Sequence, residues 1–238
     1  MLRSVNLPPL YALTMLGAIT LAGIFWWRLA RRDGRLFFLY LIALFGALAG
    51  AKLGWFIAEG WREIGHPQFL IALATGKTIV GGLIGGYLAV EWGKRALGFS
   101  GVTGDWFAMV VPLGIALGRV GCLVQGCCGG MPWNGWCAVV DAQGMARWPS
   151  AEMELAFNLL AALTFFLMRR GRLLRGQHFH IYLMAYGLFR FFHEFVRDTQ
   201  REIGVFSGYQ LLALLCFAVG VVGFVRRANG QRGTTARS

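Results

Sequence analysis

Arg119 and Arg190 stand well inside long apolar stretches, and Lys52, Glu154, Glu194 and Arg197 lie within or at the ends of such stretches. Arginine or lysine at the centre of a membrane helix costs roughly 2.5–3.5 kcal/mol on insertion scales. A chain with several must pair them or turn them into a polar cavity. Snorkelling toward the headgroups is the simple alternative, and with Trp55 and Glu59 nearby it suits Lys52 better than either arginine. Arg190, Glu194 and Arg197 fall at i, i+4 and i+7 and so share a helix face, with His193 beside it. One reading is an ion-pair ladder that only holds helices together. The other pairs one arginine with Glu194 and leaves another to present its fork to a ligand. A planar guanidinium donates two parallel hydrogen bonds to two phosphate oxygens. Two of them from different helices, both at outer-leaflet depth, describe a pocket for a phospholipid headgroup.

Cys122, Cys127, Cys128 and Cys137 gather near the end of the fourth apolar stretch, spaced C-x4-C-C-x8-C, and Cys216 stands alone in the last. Three readings stay open. Disulfides suit the oxidising side of a membrane; the thiols could simply be shielded and packed; or a thiol beside Arg119, Cys122 first, is a nucleophile with a lowered pKa. The spacing is not a standard zinc pattern and no histidine is near, so no metal is assigned.

The elements that must position these groups are apolar helices. Of 238 residues 57% are hydrophobic and only 14% charged, against about 25% charged in soluble domains. The apolar residues form blocks near 7–27, 36–58, 78–92, 105–124, 152–168, 178–196 and 208–225. A bilayer span needs roughly 20 such residues. Six blocks reach or approach that length, and the short third is admitted for its glycines and neighbours. The expected fold is all-α with seven transmembrane helices. The first block ends in Trp26, Trp27 and Arg28 rather than at a small-residue cleavage site and reads as a retained helix.

A net charge of +12 would suggest nucleic acid in a soluble protein, but here the basic residues occupy every second loop. Arg28, Arg31, Arg32 and Arg35 form the first group, then Lys94 and Arg95, then Arg169, Arg170, Arg172 and Arg175, then Arg226, Arg227, Arg232 and Arg237. The intervening loops carry Glu59, Glu63, Asp141, Asp198 and Glu202. Short basic loops stay cytoplasmic, which places the N-terminus outside and the C-terminus in the cytoplasm. Nucleic-acid binding falls away, and contact with anionic membrane lipid remains a minor role for these arginines. The expected organisation is one seven-helix membrane domain over 1–227, with a short outer loop at 125–150 and a disordered cytoplasmic tail at 228–238. Gly46, Gly50 and Gly54, and Gly81/Gly85 with Gly82/Gly86, recur every four residues. Such spacing marks close helix packing, and at Gly81 and Gly82 bare backbone also allows a ligand to approach.

Gly118-Arg119-Val120-Gly121, preceded by Asp105 and Pro112, resembles the signature helix of the prolipoprotein diacylglyceryl transferases. Further pieces resemble that family in order along nearly the whole chain: Pro9-Leu10-Tyr11-Ala12, Gly50 to Trp55 around Lys52, Val80 to Gly85, Arg147-Trp148-Pro149-Ser150 with Glu154, Tyr186 to Arg190 continuing to Glu194 and Arg197, then Ser207 and Gln210. The resemblance implies seven helices with an outward N-terminus in the bacterial inner membrane. It implies transfer of the diacylglyceryl group of phosphatidylglycerol to the lipobox cysteine of a preprolipoprotein, with release of glycerol phosphate and no cofactor. Arg119 and Arg190 would engage the phosphate, with Glu154 as a further catalytic candidate, while Cys122 is a candidate from its place beside Arg119 alone. Tyr11, Lys52, Gly81, Gly82, Gln125, Arg147, Ser150, Glu194 and Arg197 would bind substrate. The chain departs from the family at Val80 and Trp148, where the family has histidine, and at Cys122, where it has asparagine. The general base is thereby left open between His193 and Glu154, and phosphate capture is better supported than lipoprotein modification. Two rival readings are a membrane thiol–disulfide protein using the cysteines and a non-catalytic lipid-binding protein.

Overall fold

A computed structural model of the chain describes residues 9–31, 33–141, 143–199, 201 and 204–235. Long helices occupy each of the seven apolar blocks: α1 (Pro9–Ala30), α2 (Arg35–Ala58), α4 (Ile79–Ala96), α5 (Gly104–Gln125), α6 (Ser150–Arg170), α7 (His178–His193) and α8 (Gly208–Thr235). One more helix, the short α3 (Phe69–Thr75), lies in what reads from sequence as an outer loop. Among the described residues α2, α5, α6 and the stretch Gly208–Gly230 are each long and apolar enough to cross a bilayer. The pair α3 and α4, bent by 62° at its break, would make a fifth such span. The chain is therefore an all-α, multi-pass membrane protein. α8 continues past its apolar part, through the polar residues after Arg227, to Thr235.

α2 packs most closely on α4, α7 on α8, and α5 on α6, while α1 lies against α5 and α2. Glycines set the closest of these contacts. A Cβ added at Gly50 would stand 2.8 Å from the Gly85 Cα, and one at Gly54 would stand 2.9 Å from the Gly81 Cα. Gly81 in turn faces the Gly50 carbonyl. Lipid offers helices no hydrophobic drive to associate, so this backbone-on-backbone approach supplies the packing that binds them. Gly50→Leu and Gly81→Leu are expected to force α2 from α4 and to collapse the yield of folded protein in detergent. Gly17→Leu, with nothing within 4 Å of its added Cβ, should leave the yield unchanged. Size-exclusion profiles of the three variants check this.

Helix ends follow local chemistry. α8 opens on a reciprocal capping box, in which the Ser207 backbone N–H donates to Gln210 Oε1 (2.8 Å) and the Gln210 N–H donates to Ser207 Oγ (3.3 Å). Buried Asp105 near the start of α5 accepts the Gly176 N–H on both oxygens, at 2.9 and 2.8 Å, and so ties α5 to the α6–α7 turn. The segment after α5 carries a two-stranded antiparallel hairpin, β1 (Val139–Val140) with β2 (Ala146–Arg147). It is pinned beside the end of α7 where the Met131 N–H donates to the Val196 carbonyl at 3.0 Å. The apolar core joins Trp26 of α1, Leu39 and Tyr40 of α2, Phe107 of α5 and Tyr182, Leu183 and Tyr186 of α7.

Candidate active site

Glu154 lies one turn into α6 and is fully buried. Its Oε2 accepts Arg119 Nη2 of α5 at 2.7 Å and its Oε1 accepts the Tyr186 hydroxyl of α7 at 2.6 Å. One carboxylate thus joins three helices and fixes the Arg119 side chain. A second rung repeats the pattern one turn along. Asn158 Nδ2 donates to the Glu154 carbonyl (2.8 Å), and Asn158 Oδ1 accepts the Tyr182 hydroxyl (2.7 Å). Both pairs, Glu154/Asn158 and Tyr182/Tyr186, sit at i, i+4 and therefore share helix faces. Each polar group meets its partner away from water, where an unsatisfied group would be costly.

At the other end of α7, Arg190 Nη2 lies 2.7 Å from Glu194 Oε2, and Arg197 Nε lies 3.7 Å from the same oxygen. The α-helix stops at His193 and a short 3₁₀ turn, Glu194–Val196, follows. The shared face read from i, i+4, i+7 spacing still forms, because one carboxylate receives both arginines. Arg190 Nη1 and Arg197 Nη1 are buried with no hydrogen-bond partner among the described residues. Around this wall three guanidiniums, Arg119, Arg190 and Arg197, meet two buried carboxylates, Glu154 and Glu194. The excess is cationic.

All three arginines line one cavity of about 1590 Å3. Cys122 and Cys128 line it beside them, and much of the rest is apolar, with Leu44 and Ala47 of α2, Ile79 and Leu83 of α4 and Val111 and Ile115 of α5. Small-molecule pockets usually enclose about 300–1,000 Å3. A larger space with a cationic wall and apolar sides suits an amphiphile with an anionic head.

Most of the other residues selected from sequence fall elsewhere. Gly82 is on the cavity wall, whereas Gly81 serves the α2–α4 seam. Lys52 Nζ donates to the carbonyls of Leu73 (2.8 Å) and Ala74, so it caps the end of α3 instead of snorkelling or facing the cavity. Gln125 Oε1 accepts from Cys127 Sγ at 3.8 Å. Ser150 is buried beside Gly130, its hydroxyl without a partner among the described residues. The Tyr11 side chain lies outside the described residues. Val80 is fully buried in the apolar core, and Trp148 packs edge-on against Trp133 at 5.4 Å, so neither offers a base. His193 packs on Phe189 at 4.9 Å, and neither of its nitrogens has a partner among the described residues. Sequence reasoning gave no role to Asn158 or Tyr182 and did not foresee Tyr186 on Glu154. The available signal was an asparagine within an apolar run, one turn from a buried glutamate.

Arg147 is a loop fastener. Its Nε donates to Asp141 Oδ2 at 2.6 Å, and its Nη1 reaches the Gly130 carbonyl (3.2 Å) and Asp198 (3.4 Å). The Asp141 carboxyl is held below its ordinary value, first by the Arg147 hydrogen bond and then by backbone N–H donors from Met145 and Gln143. A carboxylate depressed in this way stabilises the fold above its unfolded pKa of about 3.9, and that contribution fades as pH falls through the folded value. Cleavage of the 126–149 loop by an acid-active protease is therefore expected to rise from pH 5 to pH 3 in the wild type. In Asp141→Asn it should be fast at both.

All five cysteines are free, which leaves the disulfide expectation without a bond to support it. Cys122, Cys127 and Cys128 form a group without Cys137. Cys216 is buried in α8 and directs its thiol to the Leu183 carbonyl at 3.6 Å.

The family described as prolipoprotein diacylglyceryl transferase matches residues 7–226. The chain is 33% identical over 209 residues to the phosphatidylglycerol–prolipoprotein diacylglyceryl transferase of Bordetella avium (strain 197N), covering 81% of this chain and 78% of that one. It is 30% identical over 194 residues to the enzyme of the same name from Vibrio atlanticus (strain LGP32), covering 74% and 68%. Against that of Clostridium tetani (strain Massachusetts / E88) it is 26% identical over 204 residues, covering 81% and 80%. With a match that reaches from the start of α1 nearly to the end of the apolar part of α8, the chain belongs to the prolipoprotein diacylglyceryl transferase family.

Proposed function

We propose that this protein transfers the diacylglyceryl group of phosphatidylglycerol to the lipobox cysteine of a preprolipoprotein. It does so as a seven-span protein of the bacterial inner membrane, with its N-terminus outside and its C-terminus in the cytoplasm. One observation carries the reading: Arg119 of α5, Arg190 of α7 and Arg197 just past the turn after α7 line a single, largely apolar cavity, three guanidiniums against two buried carboxylates. A phosphodiester supplies the missing negative charge, and its acyl chains suit the apolar walls.

The chemistry uses that charge. The acceptor thiol gives up its proton to solvent, its sulfur attacks the glyceryl carbon, the carbon–oxygen bond to phosphate breaks, and glycerol phosphate leaves with the bonding pair. A phosphodiester bearing one negative charge becomes a monoester bearing up to two. Fixed guanidiniums in a cavity shielded from water are suited to stabilise charge that develops in the transition state. Glu154 holds Arg119 and Glu194 holds Arg190, so both forks are oriented before substrate arrives.

The test is transfer from labelled phosphatidylglycerol to a lipobox peptide by purified protein in vesicles. A peptide thioether is expected, and none from a peptide with serine in place of the cysteine. Lipid binding without product would favour a binding protein, and thiol-dependent activity independent of lipid would favour the thiol–disulfide reading.

A further inference from the structure

The end of α5 brings three thiols together through its own backbone. Gly126 takes the left-handed conformation (φ 59°), the Cys127 N–H donates to the Cys122 carbonyl (3.1 Å), and the Gly126 N–H donates to the Leu123 carbonyl (3.1 Å). This is the Schellman closure of a helix, and it sets the side chain after the glycine against the one five residues earlier. Here those side chains are Cys127 and Cys122. The next residue, Cys128, also has positive φ (65°). That conformation is uncommon outside glycine, and held strain of this kind concentrates at functional sites. It returns the Cys128 sulfur to the other two, 3.8 Å from Cys122 Sγ and 3.6 Å from Cys127 Sγ. All three sulfurs lie within 4.8 Å of one another.

These spacings fit a shared metal ion. Thiolates about 2.3 Å from a tetrahedral zinc stand about 3.75 Å apart. Cys122 is buried and anchors the group, while Cys122 and Cys128 face the cavity. One guanidinium stands beside the group, with Arg119 Nη1 3.7 Å from Cys122 Sγ.

We propose that Cys122, Cys127 and Cys128 form a three-thiolate site for a thiophilic d10 cation, Zn2+ in the first place, with its fourth position open to the cavity. Soft thiolates select such ions, and three protein ligands with one open position is the arrangement of reactive rather than structural zinc. On the reading of the protein as a lipid transferase, the fourth ligand is the acceptor cysteine. Zn2+ displaces the three cysteine protons on loading. The acceptor thiol then binds as thiolate and releases its proton to solvent, since a metal-bound thiol is deprotonated outright. Its sulfur pair attacks the glyceryl carbon, glycerol phosphate departs with the carbon–oxygen pair, and the neutral thioether leaves the metal. The metal returns unchanged, with no oxidant or reductant involved.

The test uses full-length protein reduced in detergent and dialysed against Zn2+ or, for its spectrum, Co2+. About one equivalent is expected per chain. Cobalt should show thiolate charge-transfer absorption, and thiol titration should find three of five cysteines protected by zinc. Cys122→Ser and Cys128→Ser are each expected to weaken binding at least 100-fold, whereas Cys137→Ser, outside the group, should bind as the wild type does. A lipobox peptide should shift the cobalt spectrum and its serine form should not. Failure of the reduced protein to bind stoichiometrically, equal binding by the cysteine variants, or a spectrum indifferent to the peptide would each overturn the proposal. These readouts need no phospholipid, so they can fail while diacylglyceryl transfer stands, and the reverse.

Discussion

Arg190→Ala is expected to lower diacylglyceryl transfer by about 10²–10³-fold, the usual loss when one fixed donor to a developing oxyanion is removed. Arg190 is almost wholly buried, yet it lines the cavity and keeps Nη1 without a partner among the described residues. Its other nitrogen, Nη2, is 2.7 Å from Glu194, which holds the guanidinium plane in place. Lysine at this position retains charge but not the fork, so Arg190→Lys should recover only part of the rate. Because the missing interaction strengthens as the leaving phosphate gains charge, kcat should fall more than the KM for phosphatidylglycerol rises. Initial rates of peptide modification over a range of lipid mole fraction would show this split. A variant that raises KM alone would make Arg190 a simple binding residue.

Glu154→Ala should be the most destabilising substitution at the site. The carboxylate is fully buried, Arg119 beside it is nearly so, and the Tyr186 hydroxyl also depends on it. Removing one partner of such a pair leaves an uncompensated charge in the interior, a loss of about 3–5 kcal/mol, which in a chain of this size is roughly 6–20 °C in melting temperature. Glu154→Gln keeps an acceptor for Tyr186 and should lie between alanine and wild type. Adding Arg119→Leu to Glu154→Ala removes the stranded charge and should restore much of the stability but none of the activity. Glu152→Ala, two residues earlier on α6, serves as the reference and should melt as the wild type does. Melting curves in detergent, followed by tryptophan fluorescence, would order the four. If the double variant melts no higher than Glu154→Ala, Glu154 acts by something other than neutralising Arg119.

Much of the helix layout was legible because an apolar run of bilayer length is an unusually plain signal. The ends of α2, α5 and α6 lie within a few residues of where the apolar blocks stop. The site itself was marked by arginines where lipid would penalise them, and Arg119 and Arg190 do share a cavity. The pairings were not legible. Choosing Glu154 rather than Glu194 as the partner of Arg119 requires knowing that α5 packs on α6, and no local pattern states it. The contact of Lys52 with α3 was not legible either, because α3, whose carbonyls it caps, is seven residues long and hidden in a stretch that reads as loop. Gly81 and Gly82 are neighbours with the same apparent role, yet a rotation of about 100° along the helix sends one to a seam and the other to the cavity. The cysteine spacing matched no metal pattern. A Schellman turn followed by a left-handed cysteine can gather sulfurs that linear spacing keeps apart.

The central claim is that Arg119 and Arg190 grip one phosphate together, and a double-mutant cycle on lipid binding tests it most directly. Native mass spectrometry would measure phosphatidylglycerol retained by the wild type, Arg119→Ala, Arg190→Ala and the double variant. Two arginines on one phosphate predict coupling of about 0.5–3 kcal/mol, with the double variant losing clearly less than the two single losses combined. Losses that simply add, or phosphatidylglycerol retained undiminished when both arginines are gone, would contradict the account.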